Sequence, residues 1–251
     1  MTIETSQPLM DIRSAPEGTR GGGLVDRVID YLRDYVATER LRPGERLPSE
    51  TKLSVALGVS RPVVREAMRM LAATGLVELA AGKRATIIAV DGEMISRVIE
   101  NAVLVGQADA ADILEMRRGI EIAMVSLAAE RRTDEAKGEL REIVDNMAQC
   151  LGDGARYSRL DLQLHLTLAK ATANPLYPLL IEAFRQLIEA SMLAGIERWE
   201  ATPELQRVQD LHEAIVDAVV AGDPDAAAKA MAQHFDDALA AILAPAAANR
   251  S

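Results

Sequence analysis

The chain of 251 residues has one cysteine, one tryptophan and three histidines, and aromatic residues make up 3% of it. A lone Cys150 excludes a disulfide framework and a thiolate zinc cluster, and it fits a reducing cytosol. So few aromatics leave Leu, Ile, Val, Ala and Met to build any core. No apolar run approaches the ~18 residues of a membrane span, and the N-terminus lacks a basic-then-apolar leader layout. A soluble cytoplasmic protein is expected. At this length the chain can form two domains, or one large one.

Acidic charge is what the sequence has in excess, with a net charge of −10, but it is unevenly placed. Residues 20–90 hold 12 Lys and Arg against 8 Asp and Glu, while residues 91–251 hold 15 against 27. A basic module is thus joined to an acidic body, an asymmetry that points to a polyanion-binding part and a non-binding part.

Residues 1–20 are polar and patternless and are read as a disordered tail. Leu24, Val25, Val28, Ile29, Leu32, Tyr35 and Val36 then recur with helical period. After the Pro43-Gly44 break, Ser49 is the expected N-cap of a short helix ending at Gly58. Ser60 is the expected cap of a third helix with apolar face Val64, Ala67, Met68 and Leu71, stopped at Gly75. Leu76–Ala80 and Ala85–Val90 are β-prone runs around a turn containing Gly82. From residue 91 to 245 the pattern is helical throughout. Starts are expected at Thr133, Ser158, Asn174-Pro175, Thr202-Pro203 and Asp223-Pro224, after leading helices near 91–106 and 109–131. The expected fold is therefore mainly α. Residues 21–90 would form three helices and a β-hairpin wing, and residues 91–245 an antiparallel bundle of six or seven helices.

On the third helix Arg61, Arg65 and Arg69 are spaced four apart, opposite the apolar stripe. Such a row suits the major groove of double-stranded DNA, where a guanidinium bridges guanine O6 and N7. Lys83 and Arg84 would sit at the wing tip, within reach of phosphate or minor groove.

The three histidines form a second pattern. Asp161 and His165 share a helix face. His212 and His234 lie 10.5 residues before and 11.5 after the centre of the Gly222-Asp223-Pro224 turn, so both stand roughly 16–17 Å from it, level across an antiparallel helix pair. A helix carrying Asp161 and His165 would complete a shell of three nitrogens and one oxygen for Zn²⁺, Ni²⁺ or Mn²⁺. Two alternatives stand beside this: hydrogen-bonded core histidines, and a capping box from Ser158 to Asp161.

The stretch RPGERLPSETKLSVALGVSRPVVREAMRMLAATGLVEL resembles the winged helix-turn-helix of the GntR family of bacterial regulators. The remainder resembles the ligand-sensing FCD domain of its FadR-type branch, and the likeness spans about residues 22–243. It implies operator contacts from Ser60, Arg61, Val63 and Arg65, with Gly82 and Lys83 in the wing. Two departures are visible. Thr51 stands where the family usually has Arg, so a DNA contact is lost or moved. The wing has Gly82-Lys83-Arg84 in place of Gly-x-Gly, a bulkier and more basic tip. The resemblance also implies that Asp161, His165, His212 and His234 are metal ligands, and that Arg117 faces the cavity where a small carboxylate effector binds. Pairing of Arg117 with Glu121, four residues on, is the competing reading, and Arg118 is expected to point to solvent. Asn174 is explained as a helix cap.

Together these features predict a metabolite-responsive transcription factor, a homodimeric repressor released from its operator by a hydroxy or sugar acid bound at a metal. Alternatives are a regulator whose effector is the metal itself, and a metal-dependent enzyme fused to a DNA-binding module.

Overall fold

A computed structural model gives the structure of the protein and describes residues 23–184 and 203–243. The tail expected at 1–20 and the cap expected at Thr202 lie outside the described residues. The chain divides into two compact units between Asp91 and Gly92, and its class is the expected one, mainly helical with a small hairpin sheet in the first unit. Among the described residues no helix is long and apolar enough to cross a membrane.

The first unit holds α1 (Leu24–Thr38), α2 (Glu50–Leu57), α3 (Arg61–Ala73) and a hairpin of β1 (Val77–Glu78) and β2 (Thr86–Ile87). With eight residues α2 is too short to be stable alone. The Ser49 hydroxyl accepts the Lys52 amide at its start, and Gly58 ends it in the left-handed region at φ 63°. Leu53 and Leu57 bind it to a core of Val28, Leu32, Leu47, Val64, Ala67, Met68 and Leu71. The apolar stripe expected on α3 is the buried one.

Ser60 holds the N-cap position of α3, but its hydroxyl makes no capping bond. Pro62 has no amide to offer, and the Val63 amide goes to the Ser60 carbonyl at 3.1 Å. The strands are shorter than the β-prone runs, with Val77 opposite Ile87 and Glu78 opposite Thr86. The segment before α2 lies against β2, through the Ile87 amide to the Glu45 carbonyl at 2.8 Å and the Leu47 amide to the Ala85 carbonyl at 2.9 Å.

The second unit contains α4 (Glu93–Leu104), α5 (Ala110–Arg131), α6 (Asp134–Ala148), α7 (Gly154–Ala171), α8 (described over 176–184), α9 (Pro203–Ala221) and α10 (Pro224–Leu243). The caps expected at Thr133 and Asp223 accept the Ala136 and Ala226 amides, and Asn174 Oδ1 accepts the Leu176 amide at 3.1 Å. One start is corrected. α7 begins at Gly154 with Asp153 as its cap, so Ser158 is buried inside the helix and Asp161 serves no helix start. Helix α5 packs on α7, α9 and α10, and α6 packs on α7 and α9. The core is built from Met124, Val125, Leu140, Leu164, Leu168, Ile215, Val219 and Met231, with few rings among them.

Candidate functional site

Gly222, at φ 78°, closes the turn that sets α9 and α10 side by side. That turn carries out the levelling expected from spacing. The His212 and His234 ring centroids are 4.6 Å apart, and those of His165 and His234 are 5.6 Å apart. One ligand nitrogen from each of the three histidines lies within 4.8 Å of the others. Asp161 joins them from α7, its Oδ1 3.0 Å from His212 Nε2 and its Oδ2 3.8 Å from His165 Nε2. All four side chains are buried.

The unsatisfied atoms define what this cluster can do. Among the described residues, Asp161 Oδ1, His165 Nε2, His212 Nε2 and His234 Nδ1 are buried without a hydrogen-bond partner. The 3.0 Å approach of His212 to Asp161 does not have hydrogen-bond alignment. Orphaned polar atoms typically cost about 1–3 kcal/mol each, so four in one place make a costly core unless something satisfies them together. Three imidazole nitrogens and a carboxylate oxygen fit a borderline divalent cation such as Zn²⁺, Ni²⁺ or Mn²⁺. Capping is no longer available as an explanation of Asp161, because the helix starts elsewhere.

Electrostatics divide the histidines. Burial lowers the pKa of His165, but the Glu121 and Asp161 carboxylates outweigh it and hold the value above the ordinary 6.5. Burial and the neighbouring His212 and His165 push His234 well below 6.5. For Asp161 burial is opposed by the facing imidazoles, and the carboxyl stays ionised with a lowered pKa.

Glu121 is the residue that sequence reasoning underused. Fully buried on α5, it receives Arg117 Nε at 2.8 Å on one oxygen and meets His165 Nδ1 with the other. The pairing with Arg117 was legible as an i,i+4 relation; the bond to His165 was not. Arg117 is itself buried, with its guanidinium carbon 5.0 Å from the centre of the Phe235 ring, beside His234. Arg118, expected in solvent, instead reaches Asp236 on α10 at 2.8 Å and remains partly exposed. Tyr157 and Gln209 were not singled out either. The Tyr157 hydroxyl lies 3.1 Å from His212 Nδ1, and a visible signal was its place on α7, four residues before Asp161 and eight before His165.

In the first unit Thr51, Ser60, Arg61, Arg65, Gly82 and Lys83 are exposed, and Val63 is half-buried against the core. The arginine row is not free. Arg65 forks onto both oxygens of Glu50 on α2, at 3.3 and 2.9 Å, with Arg61 3.9 Å from the same carboxylate, and Arg69 reaches Glu66 at 3.4 Å. Gly82 turns the wing at φ 72°, and the Lys83 amide closes on the Ala80 carbonyl.

A helix-turn-helix with a wing, followed by a helical bundle, is matched in known proteins. Residues 24–87 match the bacterial regulatory proteins of the gntR family, and residues 112–237 match the FCD domain. The chain belongs to the GntR family. This regulator is of the FadR-type branch, as its FCD domain implies. It is 33% identical over 197 residues to the HTH-type transcriptional regulator LutR of Bacillus subtilis (strain 168), covering 78% of this chain and 90% of that protein. It is 29% identical over 226 residues to the HTH-type transcriptional repressor NanR of Cronobacter sakazakii, covering 86% and 84%. Among solved structures, Streptococcus agalactiae GntR shares the fold with a TM-score of 0.66 at 24% identity, over 86% of this chain and 98% of that one. The matched families and these relatives are transcriptional regulators, not enzymes. The reading as a metal-dependent enzyme is set aside.

Proposed function

We propose that this regulator is a repressor whose operator affinity is controlled by a small carboxylate, a hydroxy or sugar acid, taken up at a divalent metal ion in the bundle. The observation that carries the metal is the set of four buried, unpartnered ligand atoms on Asp161, His165, His212 and His234. When bound, the ion would act as a Lewis acid that holds the acid's oxygens. Arg117, buried beside this cluster, would supply the opposite charge for the carboxylate. The DNA-reading group is Ser60, Arg61, Val63 and Arg65, with Thr51 beside it and Gly82 and Lys83 in the wing. A homodimer would place two such groups on a pseudo-palindromic operator in the cytoplasm. The NanR relatives are named repressors, which supports that sign of regulation.

The effector would act through its different affinity for two dimer geometries, one matching the half-sites and one not. The burial of all four ligand residues favours a second reading, in which the ion itself is the signal. A thermal-shift screen of small carboxylic acids on zinc-loaded and chelated protein separates the two. A ligand far above its Kd stabilises by several kcal/mol, about 4 at a thousandfold excess. A hit lost on chelation supports the metal-bridged effector. Stabilisation by metal alone, with no acid adding to it and operator release tracking free metal, supports the ion as signal.

A further inference from the structure

The two imidazoles that aim Nε2 toward Asp161 are each held from behind at Nδ1, by different chemistry. His165 leans on a carboxylate, Glu121. His212 leans on a neutral chain that crosses three helices. Its Nδ1 is 3.1 Å from the Tyr157 hydroxyl on α7, which is 3.2 Å from Gln209 Oε1 on α9, whose Nε2 is 3.1 Å from the Val144 carbonyl on α6.

The proton positions in this chain follow by elimination. Gln209 Nε2 faces two groups that only accept, the Val144 carbonyl and, at 3.0 Å, the Glu213 carboxylate. Flipping the amide would set oxygen against both, so the orientation is fixed and Oε1 points at Tyr157. Tyr157 and Gln209 are fully buried. A phenol has one proton to donate. That single proton goes to Gln209 Oε1, leaving the phenol oxygen to accept from His212. The imidazole is therefore protonated at Nδ1.

We infer that Tyr157 and Gln209 are positioning residues that fix the proton of His212 on Nδ1, leaving its Nε2 lone pair for a metal ion. This rests on the metal reading above. Without the relay the proton can move to Nε2, 3.0 Å from Asp161 Oδ1. A small rotation would then join the two in a hydrogen bond, consuming a ligand nitrogen and a ligand oxygen at once. The relay keeps the site from satisfying itself.

The test is zinc affinity, by competition with a chromophoric chelator, for the wild type, Tyr157→Phe, Gln209→Ala and the double variant. It is paired with the imidazole N–H spectrum of zinc-loaded, ¹⁵N-histidine-labelled protein. Each single variant should weaken zinc by about 10–100-fold, as outer-shell partners of ligating histidines do. The double variant should lose little beyond Tyr157→Phe, because both cut one chain. A slowly exchanging His212 Nδ1–H signal should be present in the wild type and lost in Tyr157→Phe. Thermal unfolding of the metal-free variants should show that the fold persists. Wild-type zinc affinity in Tyr157→Phe, or additive losses in the double variant, would overturn the inference while leaving the metal site standing. If the wild type binds none of zinc, nickel or manganese, the metal reading and this one fall together. Should Tyr157→Phe not fold, Gln209→Ala and the wild-type N–H spectrum decide alone, and a rapidly exchanging His212 Nδ1–H would overturn the assignment.

Discussion

His165 turns its Nδ1 onto the carboxylate of Glu121, 44 positions earlier in the chain, and so presents its Nε2 to Asp161 and the other two histidines. The same carboxylate neutralises Arg117 with its other oxygen. One buried acid thereby couples the residue proposed to meet the effector to a residue proposed to hold the metal.

Replacing Glu121 with Gln should keep the shape and remove the charge. Zinc affinity is expected to fall by about 10–100-fold. Glu121→Ala should in addition strand Arg117 in the core, and loss of one partner of a buried pair costs about 3–5 kcal/mol. Chelator competition and urea unfolding of the metal-free protein measure the two effects separately.

The two perturbed histidines give the metal-free protein opposing pH dependences. His165 has a folded pKa above 6.5, so its contribution to stability is full below that value and is lost as the pH rises through the raised one. His234 has a folded pKa well below 6.5, so its contribution is present above 6.5 and is lost as the pH falls below it. Denaturation across pH 5–8 should show these contributions peaking near pH 6.5. Metal ligation requires both rings in the neutral form, so zinc affinity should fall as the pH is lowered through the raised His165 pKa, and zinc should move the stability optimum upward.

Arg65→Ala should abolish operator binding while leaving zinc binding unchanged, as read by fluorescence anisotropy on operator DNA. Glu50→Ala should have the opposite character. It releases Arg65 and Arg61 from the carboxylate they share, so non-specific DNA affinity should rise and discrimination should shrink. Lys83→Ala should reduce the salt dependence of binding by about one unit of slope, the signature of one lost phosphate contact. Operator affinity surviving in Arg65→Ala would remove α3 from the groove.

Gly222→Ala should impair the metal site from outside it. The backbone there has φ 78°, a conformation that strains any residue with a Cβ, and the Arg132 guanidinium lying against it would have to swing aside. A strained non-glycine residue costs about 1–3 kcal/mol, and relief by shifting the turn would slide His212 past His234. Zinc affinity should drop together with Tm. A drop in Tm alone would mean that the α9–α10 register does not depend on this turn.

Several features were open to reading in one dimension because local physics decides them. The buried stripe of α3, the Ser49, Thr133 and Asp223 caps, and the left-handed Gly58 follow from residue type and helical period. So does the levelling of His212 with His234, because a tight turn and a fixed rise per residue leave little freedom. Cap chemistry misled at two places. Ser60 stands at the right position but Pro62 leaves it less to bind, and Asp153 starts α7 before Ser158 can.

The sequence by itself determined a basic helix-turn-helix, an acidic helical bundle and the four residues able to meet in it, since periodicity and charge are carried by neighbours along the chain. Only the tertiary structure decided what surrounds those four. Glu121 reaches His165 across 44 residues, Tyr157 reaches His212 across 55, and Glu50 takes hold of Arg65 across 15. Hydrogen bonds are short and directional, so which donor finds which acceptor depends on how helices pack, and no spacing within one helix encodes it.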